Sequence, residues 1–179
     1  TGGGFLYHLE NGQVYVGLIT DLSYSNPYVS PFEEFQRMKL HPNIKQHLEG
    51  GKRVAYGARA ITKGGYNSLP RMHFPGGLLL GCDAGTLNSS KIKGSHTAMK
   101  SGMLGAETVF EAIQKESEGE DLTAFAEKFK NSWLYKELFE ERNFSPAMHK
   151  YGTVIGGGIA FLEQNILRRS LPFTIHDTV

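Results

Sequence analysis

Between Leu78 and Gly105 a short apolar run gives way to a glycine-bearing polar loop, and that loop to a long helical period. This order constrains the fold more than any other stretch of the chain. Leu78-Leu79-Leu80 is continuous rather than alternating, which suits a strand buried on both faces, as in a parallel sheet. Cys82 to Gly94 reads as a loop. Ser95 to Gln114 reads as a helix, with Met99, Met103, Ala106, Val109, Phe110 and Ile113 near the helical spacing. Small residues at Gly81, Ala84, Gly85 and Gly94 would let backbone N–H groups approach a bulky ligand closely. The start of the following helix adds unpaired N–H groups and a partial positive charge, suited to a cofactor that gains negative charge. An ordinary strand–loop–helix connection has the same look, and no G-x-G-x-x-G follows an N-terminal strand.

Upstream, Phe5 to Leu9 and Val14 to Ile19 are β-prone runs flanking Asn11-Gly12, a dipeptide that favours the positive φ angles of a tight hairpin. Ser30-Pro31 predicts a helix over Phe32 to Leu40, with Ser30 as N-cap, Pro31 at the first helical position, and Phe32, Phe35 and Leu40 on one face. Pro42 opens a short turn that ends at Gly50-Gly51. Lys52 to Ile61 reads as a strand. Downstream, Asp121 to Arg142 reads as one amphipathic helix capped by Asp121, with Leu122, Phe125, Phe129, Trp133 and Leu138 as apolar positions. The fold class expected is mixed α/β, in the α+β sense.

Composition excludes several classes. A net charge of +1 with no basic run leaves nucleic acid without a footprint. The single cysteine, Cys82, cannot build a disulfide framework or hold an iron–sulfur cluster alone. Seven histidines are scattered without ligand spacing, so no metal site is expected. No G-x-S-x-G elbow supports a hydrolase. The opening Thr1-Gly2-Gly3-Gly4 carries neither initiator methionine nor signal peptide, and the stretch to Val179 closes no element, so the chain reads as a piece of a longer polypeptide.

Gly76 to Gly85, then Lys91-Ile92-Lys93-Gly94-Ser95-His96-Thr97-Ala98-Met99-Lys100-Ser101-Gly102, closely resembles the electron transfer flavoprotein–ubiquinone oxidoreductase family. The resemblance continues at Gly2-Gly3, Phe5 to His8, Asn26-Pro27-Tyr28, Ser30-Pro31-Phe32, Glu34 to Arg37, Glu49 to Arg53 and Ala55 to Ala60. It extends through Asn131-Ser132-Trp133 and Lys136-Glu137-Leu138, so it covers nearly the whole chain in order.

That resemblance implies a partial FAD-binding, glutathione-reductase-like flavoprotein fold with an antiparallel-sheet quinone domain. It divides the chain into residues 1–75 (ubiquinone-binding), 76–120 (FAD-binding) and 121–179 (a helix and a membrane-surface segment). Gly81, Cys82, Asp83, Gly85, Asn88, Gly94, Ser95, His96 and Thr97 would line FAD, with Asn88 and Thr97 near the flavin ring nitrogens. Relatives in the wider flavoprotein group carry Gly-Asp at the strand end; here the order is Gly81-Cys82-Asp83. Gly2 and Gly3 would hydrogen-bond the quinone head group through their backbone, although Thr1 stands where a tyrosine is expected.

The segment Tyr151 to Leu167 contains Glu163 and Gln164 and is too short and polar to span a bilayer. By composition it is a core element or an interfacial one; the resemblance implies a monotopic membrane surface formed by Ile155, Ile159, Phe161, Leu162, Ile166 and Leu167. Lys150, Arg168 and Arg169 would meet lipid phosphates.

For the full-length parent the resemblance implies an electron-transferring-flavoprotein dehydrogenase. Reduced electron transfer flavoprotein is the donor, FAD and a 4Fe-4S cluster outside this chain relay the electrons, and ubiquinone is the acceptor. The place would be the inner face of a bacterial cytoplasmic membrane or the matrix side of the mitochondrial inner membrane. This chain alone is expected to be inactive. Two other readings remain open: a geranylgeranyl-reductase-type flavoprotein acting on a prenyl lipid, and a non-catalytic membrane-surface module.

Overall fold

The computed structural model describes residues 2–167 and 171–176, and the chain forms two compact units, residues 1–58 and 59–179. Arg168 and Arg169 lie outside the described residues. The architecture is mixed α+β: small antiparallel sheets and helices.

The first unit is built on a hairpin. Strands β1 (Gly2–His8) and β2 (Val14–Thr20) pair antiparallel, with Gly2 opposite Thr20 and His8 opposite Val14. Asn11 (φ 61°) and Gly12 (φ 70°) both adopt the left-handed conformation the dipeptide suggested. Helix α1 (Pro31–Lys39) follows, and the Ser30 hydroxyl accepts a hydrogen bond from the Glu33 amide, as the Ser-Pro pair predicts. Its inward side is not the expected one. Phe32 and Leu40 are exposed, whereas Phe35 and Met38 are half-buried, and the Met38 sulfur lies against Gly4. A short helix α2 (Pro42–Lys45) closes the unit's helical part.

The expected strand over Lys52 to Ile61 does not form. Among the described residues nothing pairs with it, and all ten positions are exposed. Its β-prone residues lack the hydrogen-bonding neighbour that a strand requires.

In the second unit, β3 (His73–Phe74) and β4 (Gly77–Leu78) form a two-residue antiparallel ladder. The apolar run at Leu78–Leu80 therefore is not a strand of a parallel sheet. The chain leaves the ladder after Leu78, and Gly81 (φ 68°) turns it into a 3-10 turn, Gly81–Ala84. Helix α3 (Ser95–Gln114) has the expected bounds but buries the other face. Thr97, Ser101, Leu104, Gly105, Thr108 and Ala112 point inward, while Met99, Met103, Ala106, Val109, Phe110 and Ile113 are exposed.

The single helix expected over Asp121 to Arg142 is two, α4 (Ala124–Lys130) and α5 (Trp133–Glu140). Ser132 breaks it by capping α5, its hydroxyl accepting from the Tyr135 amide at 3.3 Å. Asp121 caps neither, because its carboxylate is held by Arg71 and by His73 Nδ1. The core gathers Met72, Ala84, Leu104, Phe125, Phe129, Leu134 and Leu138. Trp133, expected on the apolar face, is half exposed.

Helix α6 (Phe144–Phe161) contains a bend at Gly152 (φ 72°, ψ 179°) that only glycine adopts readily, and runs on into a π turn, Leu162–Ile166. The bend folds the second half back on the first, so that a Cβ at Gly156 would sit 2.3 Å from the Ala147 carbonyl oxygen.

Candidate functional sites

The loop between the 3-10 turn and α3 is fastened at several points. Asn88 and Lys93 exchange backbone hydrogen bonds of 3.0 and 3.2 Å, closing a small loop whose tip, Ile92, has φ 52°. The wholly buried Asn88 side chain accepts from Ser90 Oγ (2.9 Å) and from the Lys91 amide (3.1 Å). Its Nδ2 donates to Glu137 Oε1 at 2.7 Å. The same oxygen lies 2.8 Å from His96 Nε2 and 3.2 Å from Lys91 Nζ. Burial pushes the Glu137 carboxyl towards its neutral form. The hydrogen bonds from His96, Asn88 and Lys91 and the Lys91 charge outweigh that and hold its pKa below the ordinary value.

Thr97 is wholly buried and donates to the Gly94 carbonyl, and Ser101 Oγ accepts from the Gly81 amide at 2.9 Å. The loop's two ends thus meet at the start of α3. Gly94 permits the closure, since a Cβ there would come within 2.6 Å of Cys82 Sγ and 2.9 Å of Leu87 Cδ1. Helix α3 has no side-chain cap, which leaves its first-turn amides uncommitted to a side chain. The Thr86 hydroxyl is buried without a hydrogen-bond partner among the described residues, and Gly85 (φ 86°) is buried beside it. Asp83 is exposed and paired with Arg59 at 2.9 Å; Cys82 is half-buried; Ser95 is exposed.

Within the first unit, Gly2 and Gly3 lie at the open end of the hairpin and differ in what surrounds them. A Cβ at Gly2 would press on the Ile19 carbonyl oxygen at 2.3 Å, so the fold itself requires that glycine. A Cβ at Gly3 would meet nothing within 4 Å among the described residues.

On α6 and its π turn, Gly156, Ala160 and Glu163 form the inward stripe, spaced four and three residues apart. Glu163 is 4% exposed and accepts from Asn143 Nδ2 at 2.8 Å. Outside that stripe Val154, Ile155, Phe161, Leu162, Ile166 and Leu167 are exposed, and Ile159, three residues from Gly156 and four from Glu163, is half-buried. Among the described residues no helix is long and apolar enough to cross a membrane.

Residues 1–61 match the family described as ETF-QO, ubiquinone-binding. The chain is 65% identical, over 99% of its length, to the electron transfer flavoprotein-ubiquinone oxidoreductase of Pseudomonas aeruginosa, covering 32% of that protein. It is 57% identical over 99% of its length to the probable electron transfer flavoprotein-ubiquinone oxidoreductase of Acinetobacter baylyi, covering 34%. This chain matches the electron transfer flavoprotein–ubiquinone oxidoreductase family along nearly its whole length. The likeness reaches the human mitochondrial protein of that name, at 50% identity over 97% of the chain and 30% of the relative. The chain thus spans about a third of the length of the curated relatives it matches.

The structure brings Gly81, Cys82, Gly94, Ser95, His96 and Thr97 together around the start of α3, and Gly85 and Asn88 lie in the loop between them. Sequence reasoning gave Glu137 no role of its own. The available signal was its place between Leu134 and Leu138, a carboxylate on the buried face of α5.

Proposed function

We propose that this chain supplies part of the FAD site and the quinone-side surface of a full-length flavoprotein. That protein takes electrons from reduced electron transfer flavoprotein and passes them to ubiquinone at a membrane surface. The observation that carries the reading is the inverted helix α6: its small residues and its carboxylate face inward, and its large apolar residues face out. A water-soluble surface helix is built the other way round. Ubiquinone is dissolved in lipid, so an enzyme reducing it needs a surface that meets the bilayer. Ile155, Ile159, Phe161, Leu162, Ile166 and Leu167 offer one, with Glu163 turned away from it towards Asn143.

The residues around α3 fit a flavin. The unpaired Thr86 hydroxyl and the uncapped amides at the helix start supply donors, and Gly81 and Gly85, at φ 68° and 86°, let the backbone turn beside them. When bound, FAD would supply the reversible electron-accepting chemistry that no side chain here has. The chain's own residues would hold it. The amides of Ser95, His96 and Thr97 would face its polar edge, Asn88 and Thr97 would set the loop's shape, and the surrounding packing would keep water out. The glutathione-reductase-like fold, and the division at residues 75 and 120, belong to this same reading. The iron–sulfur cluster would reside outside this chain, and the membrane would be the bacterial cytoplasmic or mitochondrial inner membrane.

Gly3 provides the test. Its missing side chain serves nothing within the hairpin, which is what a flat ring lying against the backbone would require. In a full-length protein of the family carrying these residues, Gly3→Val should leave folding and FAD content unchanged and abolish ubiquinone reduction. Retention of normal quinone reduction by that variant would overturn the assignment.

A further inference from the structure

Three donors from one short stretch, the loop and the first turn of α3, converge on a single carboxylate oxygen. Asn88 Nδ2, His96 Nε2 and Lys91 Nζ stand 2.7, 2.8 and 3.2 Å from Glu137 Oε1, and all three belong to residues 88–96. Glu137 itself sits on α5, flanked by Leu134 and Leu138, two of the most completely buried side chains of the core. Its carboxylate therefore ties a loop of largely polar residues to the helix whose leucines are packed in the core of the second unit. One turn earlier on α5, Trp133 stacks on the His96 ring, with centroids 5.9 Å apart and planes 6° from parallel. Both contacts come from the same side of α5 and grip the same loop. A hydrogen-bonded carboxylate in a partly buried setting holds its partners in a fixed geometry more firmly than a neutral acceptor would.

The charge matters as well as the geometry. Lys91 and Lys93 place two ammonium groups on this small loop, and of these Lys91 is paired with Glu137. Without that pairing, the start of α3 would carry an additional uncompensated positive charge beside the helix's own positive end. Such a field stabilises whichever state of a neighbouring redox group is more negative.

We propose that Glu137 is a positioning residue for the flavin-holding loop: it fixes Asn88, Lys91 and His96 in place and offsets the Lys91 charge next to the cofactor. The proposal rests on the reading of this loop as the flavin site. Glu137 touches no reacting atom; it acts through the loop.

The experiment uses the full-length protein of the family carrying this segment, loaded with FAD, in three variants. Hydrogen exchange of residues 88–97 and the flavin midpoint potential and absorbance spectrum are the readouts. Glu137→Ala should speed exchange of the loop amides by about tenfold or more, the mark of a lost local tether. Glu137→Gln keeps an acceptor oxygen in place but removes the charge. It should leave exchange near that of the parent while moving the midpoint potential in the positive direction. Gly94→Ala, which forces Cys82 Sγ and Leu87 apart, disturbs the loop without touching Glu137.

Unchanged loop exchange in Glu137→Ala would overturn the tether. A flavin potential unmoved in Glu137→Gln, with Gly94→Ala still altering the flavin spectrum, would overturn the charge role while leaving the flavin site standing. If Gly94→Ala and Glu137→Ala both loosen the loop and neither alters flavin spectrum or retention, the loop is not the flavin site. The proposal then falls with that reading.

Discussion

The outward face of α6 makes a quantitative claim. Ile155, Phe161 and Ile166 are 64%, 61% and 62% exposed. Covering such a side chain completely is worth about 1.5–3 kcal/mol, so the exposed part of each contributes roughly 1–2 kcal/mol on meeting lipid. Replacing all three by glutamine should weaken membrane adsorption by about 3–5 kcal/mol, or roughly 100- to 10,000-fold in partition coefficient. An interfacial helix sinks only part-way into the acyl region, so the lower end, about 100-fold, is the expectation. The assay is co-sedimentation of the full-length protein with vesicles made of the lipids of the host membrane. Far-ultraviolet circular dichroism would show that the helix persists. Helix α3 provides the control, since Met103, Phe110 and Ile113 are 56%, 63% and 53% exposed. The same triple glutamine substitution there should leave vesicle binding within a few-fold of the parent. If the α3 substitutions weaken binding as much as the α6 substitutions, adsorption reflects exposed apolar area in general, and the membrane assignment of α6 is refuted.

Two further outcomes follow from the packing and the charges. Gly156→Ala sets a methyl group against the Ala147 backbone at 2.3 Å, where no side chain can swing aside. It should destabilise the second unit by about 1–3 kcal/mol in urea unfolding; a variant as stable as the parent would show that the bend at Gly152 relaxes freely. The lowered pKa values of Glu137 and Asp121 link stability to acid. Each folded-state value lies below its unfolded one, so the stabilisation is fully present above the ordinary carboxylate range, about pH 4, and is lost as pH falls through the lowered values. Protection of the 88–97 amides, taken relative to their intrinsic exchange rates at each pH, should therefore fall on acidification through that range, and Glu137→Gln should blunt the fall. A Gln variant with an unaltered pH profile would place the titrating group elsewhere.

Local chemistry was legible where a residue acts on its own backbone. Asn11-Gly12 turns the hairpin, Ser30 and Pro31 start α1, and the helical period from Ser95 to Gln114 gives α3 its bounds. What the sequence hid was competition for partners. Asp121 is a plausible N-cap, yet Arg71 and His73, 50 and 48 residues away, claim its carboxylate, and the helix begins later. Ser132 then divides a period that looked continuous, because its hydroxyl satisfies the amide of Tyr135. Lys52 to Ile61 has the residues of a strand and no neighbour to pair with among those described. The loop glycines were visible from their types; Glu137 was not, since its three donors lie 41 to 49 residues away in sequence.

Helices α3 and α6 expose a limit of periodicity that bears directly on the functional reading. A hydrophobic period announces that a helix has two faces, and the apolar one is assigned inward because burial is the commoner fate of apolar side chains. In α3 the inward stripe is instead Thr97, Ser101, Leu104, Gly105, Thr108 and Ala112, mostly small residues; the hydroxyls of Thr97, Ser101 and Thr108 donate to backbone carbonyls, and that of Ser101 also accepts from the Gly81 amide. Small side chains allow close approach of the helix to Leu78 and Leu80, whose methyl groups lie where a Cβ on Gly105 would be. In α6 the inward stripe is again small, Gly156 and Ala160, and ends in a carboxylate that finds its partner in Asn143. Both helices pack largely through small residues and leave most of their large apolar ones outside, Leu104 of α3 being buried in the core. For α6, the proposed lipid surface would account for that cost: Glu163 is buried, while Val154, Ile155, Phe161, Leu162, Ile166 and Leu167 are exposed. The membrane proposal for α6 therefore rests on which of its side chains are buried and which exposed, something the hydrophobic period alone did not contain.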